Sequence, residues 1–229
     1  MLRLEDERFA LSFIVTRKLF EEMTITAFGA RVASVWEGLR PNTRKLIVGA
    51  LQARQTETKG SKKTPGNNSY DARSDWELSR LLAALDERSK DAKDLTEEQT
   101  KELRQVAETC EGVLQERTLS AEVFTQLVDR AMRANDYKRI DSLGNILVER
   151  FPAGEICELI RQENQVARAL AHEALVLLPT GILVPLLNDP FDADIVRDAI
   201  ERQAFDFNIE EAREILAMLE HEELHNEPE

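Results

Sequence analysis

Phe151–Ile160 reads FPAGEICELI, and Leu178–Leu187 reads LPTGILVPLL. A shift of 27 residues lays Phe151-Pro152-Ala153-Gly154 on Leu178-Pro179-Thr180-Gly181. Ile156 then falls on Leu183, Leu159 on Leu186 and Ile160 on Leu187. The helix expected before each corner obeys the same shift, with Ile140 on Ala167, Leu143 on Leu170 and Leu147 on Ala174. One unit later the matching residues are Val196, Ala199 and Gln203, and LSAEVFTQLV (Leu119–Val128) is an earlier copy of the second helix. The pattern predicts a helix, a Pro/Gly or Ser corner and a second helix, about four times between residues 100 and 222. Proline suits the corner because it cannot continue the first helix, yet its fixed φ fits entry to the next. One such pair cannot bury its apolar face alone, so successive pairs are expected to stack.

Composition agrees with this. Across 229 residues Gly and Pro are sparse, at 9 and 7, and the frequent Ala, Leu, Glu and Arg are helix formers. No run approaches the roughly twenty apolar residues that span a bilayer. The acidic Glu5, Asp6 and Glu7 precede the early apolar run Phe9–Val15, where a secretory signal carries positive charge, so a cytoplasmic protein is expected. Cys110 and Cys157 lack metal-like spacing and are read as reduced, buried small hydrophobes.

Outside the repeats, residues 1–55 read as an N-terminal section of three helices: about 5–23, then 25–39, then one opened by Pro41 and Asn42. Residues 56–74, TETKGSKKTPGNNSYDARS, break all periodicity and read as a flexible basic linker. Helices resume at Asp75, where Trp76, Leu78, Leu81, Leu82 and Leu85 suggest an apolar face, and Thr96 with Gln99 fits a capping box. The expected organisation is therefore 1–55, 56–74 and a repeat domain over 75–225.

Asn164–Leu175 (NQVARALAHEAL) and Asp192–Ala204 (DADIVRDAIERQA) each carry a Val-Arg or Ala-Arg pair followed by Ala at helical spacing. They resemble the first helix of short HEAT-like repeats of the phycobilisome-lyase type, over roughly residues 100–222. The resemblance implies an all-α solenoid of stacked antiparallel helix pairs whose members mostly bind other proteins. Asp141 stands where Arg168 and Arg197 stand in the following units, a departure from the pattern.

Candidate chemistry is thin. HEELH (His221–His225) satisfies H-E-x-x-H, in which histidines one turn apart hold zinc and the glutamate acts as base. His221 lies two residues past Leu219 and is thus rotated by about 200° from the stripe Ile215, Leu216, Leu219, so His221 and His225 are expected to project into water. Asp189, Asp192, Asp194 and Asp198 lack the glycine and distal glutamate of an EF-hand, and His172 reads as a helix-contact residue. No phosphate loop or nucleophile elbow occurs, and neither a catalytic residue nor a cofactor is expected.

Net charge is −13, unevenly spread: residues 1–70 hold 12 Lys or Arg against 7 acids, and residues 71–229 hold 18 against 36. The acidic part repels phosphate backbones. The basic set Arg31, Arg40, Arg44, Lys45, Arg54, Lys59, Lys62 and Lys63 is the one segment suited to nucleic acid, and is read instead as facing the acidic remainder of its own chain. The expected function is a non-enzymatic adaptor or scaffold binding another protein, with Glu155, Glu158, Arg161 and Glu211 as candidate contacts. A zinc-dependent hydrolase using HEELH, and nucleic-acid binding through residues 31–63 by Arg40, Arg44, Lys45 and Arg54, are the alternatives.

Overall fold

The computed structural model describes residues 25–57 and 71–226, with side chains of 26, 55–57 and 222–226 excepted. The described chain is all-α, with eleven α-helices and no strand among its residues. They are α1 (Ala30–Gly38), α2 (Pro41–Glu57), α3 (Ala72–Lys90), α4 (Glu97–Arg117), α5 (Ala121–Arg133) and α6 (Tyr137–Arg150). After them come α7 (Ala153–Arg161), α8 (Gln165–Leu177), α9 (Thr180–Leu183), α10 (Ala193–Phe205) and α11 (Glu210–Asn226). Short 3-10 turns occupy Thr26–Phe28 and Val184–Asn188.

Polar caps set most starts. Asp71, Thr96, Ser120, Asp136 and Asn164 each accept a backbone N–H of the helix they open, and Thr96 with Gln99 forms the full reciprocal box. Helix α5 ends in a Schellman motif. Asn135 takes φ 54°, its N–H donates to Met132 O, and Asp136 N–H donates to Ala131 O. The helix expected over 25–39 is interrupted at Gly29, whose φ of 110° no helix accommodates; Phe28, Val32, Trp36 and Leu39 are buried around the break. The helix expected over 5–23 lies outside the described residues.

The described residues fall into two compact units, divided after Thr118. In the first, α1 and α2 pack on the α3–α4 hairpin, so the sections expected on either side of the 56–74 linker belong to one body. The division thus falls within the 75–225 span. Leu78, Leu81, Leu82 and Leu85 form the buried stripe of α3, but Trp76 is 50% exposed and lies under the Arg80 guanidinium, 4.6 Å from the ring centre. Two residues from Leu78 is about 200° round a helix, which turns Trp76 out and brings it opposite the stripe.

In the second unit the repeated corner is real in the backbone. Phe151 and Leu178 have φ, ψ of −75°, 136° and −72°, 151°, and Pro152 and Pro179 follow at −60°, 142° and −56°, 134°. Proline forces its predecessor out of the α region, so two extended residues separate the helices. At the second corner this turns the chain by 117°. That reversal is too small for the flanking helices to lie side by side, and neither α6 with α7 nor α8 with α9 packs lengthwise. The hairpin partner of α7 is α8, reached through Gln162-Glu163-Asn164, and the unit frame expected from sequence moves by one helix.

First helices then form a layer, α6 on α8 on α10, while α5 packs on α7. Small residues permit this: Ala167, Ala171 and Ala174 are buried on α8, and a Cβ at Gly144 would stand 3.3 Å from Leu170 Cδ2. Ile140, Leu143, Leu147, Val196, Ala199 and Ile200 fill the layer from either side. Phe124 meets Phe151 edge-on at 5.3 Å. The correspondence fails in the third copy. Pro185 cannot donate the next helical hydrogen bond, α9 stops after four residues, and Leu187 is half-exposed where Ile160 is buried.

Candidate interaction surface

Polar bridges join successive units at separations close to the repeat length. Arg202 Nη2 donates to Glu173 Oε1 at 2.9 Å, 29 residues away, and Arg161 donates to Asp192, 31 residues away. Thr125 donates to Gln162, and Asn164 to Asp129. The most buried bridge is Gln203, which is fully enclosed. Its Nε2 donates to Val176 O at 2.9 Å and Leu178 O at 2.7 Å, and its Oε1 accepts from Thr180 Oγ1 at 2.9 Å. One amide thus satisfies two carbonyls at the second corner.

This framework absorbs most of the expected contact residues. Glu155 is half-buried and its Oε2 accepts the Ala121 N–H at 2.9 Å, an acid at the positive end of α5. Arg161 is shared among Glu158 at 2.6 Å, Asp192 and the Phe191 carbonyl. Glu158 itself is exposed. Glu211, on α11, is exposed beside Gly181, where a Cβ would stand 3.6 Å from its Oε1.

The basic residues are largely spent inside the first unit. Arg31 pairs with Glu87 at 2.6 Å, and Arg54 with Glu108 at 3.9 Å. Arg40 pairs with Asp71 and Glu77, each at 2.8 Å, and its backbone N–H reaches Glu77 Oε2 at 3.2 Å. Glu77 is buried and caps the start of α2, also accepting from Thr43 Oγ1. Burial pushes its carboxyl upward, but the hydrogen bonds from Thr43 and Arg40 outweigh this and hold it below the usual range. Arg44 sits 6.0 Å from the Trp36 ring centre and donates to Glu37 O, while Lys45 is exposed. Lys59, Lys62 and Lys63 lie outside the described residues.

His221 and His225 both lie on α11; His221 is exposed, and the His225 side chain lies outside the described residues. Among the described residues no three His, Cys, Asp or Glu side chains stand where they could hold a metal ion. His172 is half-buried on α8. Cys110 and Cys157 are free and buried, and burial pushes both thiols up to about 12, far from a reactive thiolate. Among the described residues no single helix is long and apolar enough to cross a membrane.

What the sequence reading passed over is apolar. Ile182, Phe205, Phe207 and Met218 are each at least half exposed, all in the last part of the second unit. In the same stretch of chain, Leu186, Leu187, Ile215, Leu216 and Leu219 are only half-buried. The signal was present in Phe205-Asp206-Phe207, two aromatics flanking an acid at a helix end, where no periodic partner follows. No protein-family model matches this chain, nor does any curated protein or solved structure.

Proposed function

We propose that this chain is a non-enzymatic helical-repeat protein of α-solenoid type, acting as an adaptor or scaffold for another protein. The observation that carries the reading is the number of large apolar side chains left exposed late in the chain, among them Ile182, Phe205, Phe207 and Met218, on an ordered helical framework whose bridging polar residues already serve one another. Large apolar side chains grouped at a surface mark sites of association. A chain that offers repeated helices supports such a surface through nearest-neighbour packing, without needing a catalytic centre.

Affinity capture of the tagged full chain under native conditions, followed by gel filtration, tests this. The reading expects a protein that co-elutes in fixed stoichiometry. A chain that elutes alone from every extract and growth condition, or that turns over substrate with a resident metal, overturns it.

A further inference from the structure

The outer face of α3 belongs to a single helix, so helical geometry alone decides which side chains share it. Trp76, 50% exposed, stands about 40° from Arg80 and about 60° from Arg73 round the helix axis. Both arginines are exposed, and the Arg73 side chain is 72% so. Ala72 and Ala83 lie within about 40° on the other side of the indole, exposed and too short to shield it. The Arg80 guanidinium is 4.6 Å from the indole ring centre and makes no ion pair among the described residues. Arg73 has one distant counter-charge, Glu77 at 3.8 Å, whose carboxylate already serves Arg40 and Thr43.

An exposed tryptophan beside two arginines has a definite complement. Trp and Arg are enriched among the side chains that anchor protein interfaces. Excluding water from the cation–π pair strengthens it, and a carboxylate brought to Arg80 supplies the counter-charge it lacks. Within about 60° of Trp76 the one acid on α3 is Glu87, and Arg31 neutralises it at 2.6 Å. The face is therefore locally positive on a chain whose net charge is −13. Two arginines are too few for nucleic acid, whose affinity grows with the number of phosphates neutralised and which the acidic remainder repels.

We propose that this face docks an acidic amphipathic segment of a partner protein, with a leucine-like or aromatic side chain on Trp76 and carboxylates towards Arg73 and Arg80. The two arginines are about 10 Å apart along α3, so acids two helical turns apart on the partner reach both. This rests on the adaptor reading and names a partner class. It uses the first unit, whereas Ile182, Phe205, Phe207 and Met218 belong to the second. Contact with the indole gives affinity, and charge gives orientation and approach.

The chain has two tryptophans and Trp36 is buried, so fluorescence quenching by acrylamide reports chiefly on Trp76. The probe is a labelled synthetic peptide of Leu and Glu in amphipathic helical spacing, about four turns long, titrated into the full chain. By fluorescence anisotropy, binding is expected to saturate at one peptide per chain and to shield Trp76 from acrylamide. It is expected to weaken about tenfold or more with Trp76→Ala, with Arg80→Glu or with Arg73→Glu, each replacing an exposed side chain. Circular dichroism confirms that each variant keeps its helices. Failure of the Leu/Glu peptide to bind, equal shielding of Trp76 by a Leu/Lys peptide, or binding indifferent to Trp76→Ala and Arg80→Glu overturns the proposal. An oligothymidylate that shields Trp76 more strongly than the peptide overturns it in favour of single-stranded nucleic acid. A dimer in sedimentation velocity that Trp76→Ala dissolves overturns it in favour of a second copy. A native partner that still co-elutes with the Trp76→Ala chain removes this surface while leaving the adaptor reading standing. A chain that binds the peptide through Trp76 yet co-elutes with no native partner keeps the docking face and removes the adaptor reading itself.

Discussion

Replacing Gln203 by methionine keeps the side chain's length and volume while deleting both its donor and its acceptor. Val176 O and Leu178 O would lose the Nε2 protons now at 2.9 and 2.7 Å, and the Thr180 hydroxyl would lose its acceptor at 2.9 Å. All four residues are buried, so water does not replace the lost partners without opening the corner. Each buried group left without a partner costs about 1–3 kcal/mol, and the hydroxyl can turn elsewhere, so two carbonyls set the scale at about 2–6 kcal/mol. A buried thioether in place of an amide returns roughly 1–2 kcal/mol, giving a net loss of about 1–4 kcal/mol. Urea unfolding of the full chain, followed by far-UV circular dichroism, is the assay. With a slope of about 1.5 kcal/mol/M the affected transition should fall by about 0.7–2.7 M. Thr180→Val, which removes one bond and spares both carbonyls, should cost about 0.5–1.5 kcal/mol. The double variant should show coupling of at least about 0.5 kcal/mol. A Gln203→Met chain whose midpoint matches the parent would refute the claim that this amide closes the corner.

Glu77→Gln should destabilise the first unit by about 1–3 kcal/mol at neutral pH, since Arg40 retains Asp71 and the site is only partly closed to water. Because the folded Glu77 carboxyl lies below its ordinary range, its contribution is present above that range and is lost as pH falls through the lower folded value. Thermal midpoints measured from pH 7 downwards should therefore converge for parent and Glu77→Gln in acid; parallel curves would assign the acid response to other carboxylates. Gly144→Leu should cost about 1–3 kcal/mol by pushing α6 off α8, whereas Gly154→Ala, with nothing within 4 Å of its new methyl, should gain up to about 1 kcal/mol; chemical denaturation reads both. Phe151→Ala should cost about 3–5 kcal/mol through loss of the Phe124 edge contact and burial. Native Cys110 and Cys157 should resist a thiol-specific reagent until denaturant is added, and rapid modification of either in the folded chain would contradict their burial.

Helical spacing made much of the second unit legible, because Leu143, Leu147, Ile156 and Leu159 repeat at an interval that only a helix can turn to one side. The corners were legible too, since Pro152 and Pro179 impose their geometry locally. The choice of hairpin was not. A periodic sequence marks where units recur, yet says nothing about which two neighbours close on each other; that depends on how far each connection turns the chain. Trp76 is apolar by type, but its angle of about 200° from Leu78 takes it off the buried stripe. The roles of Arg40 and Glu77 depended on pairing across 37 residues, and charge alone offers many equivalent partners over such a distance. For the candidate contacts Glu155 and Arg161, exposure on a helix was visible in outline, but the bridges to Ala121 and Asp192 come from the neighbouring unit.

The two-residue corner has a bearing on how this chain can change length. Its direction is set first by backbone rules around proline, and at the second corner Gln203 reinforces it, so it behaves as a phase marker. Adding one residue inside α7 or α8 would advance everything after it by about 100° and turn oily side chains outward. Gains and losses of whole corner-to-corner segments keep the phase, and that is the step by which a protein of this design grows or shrinks without rewriting its interior.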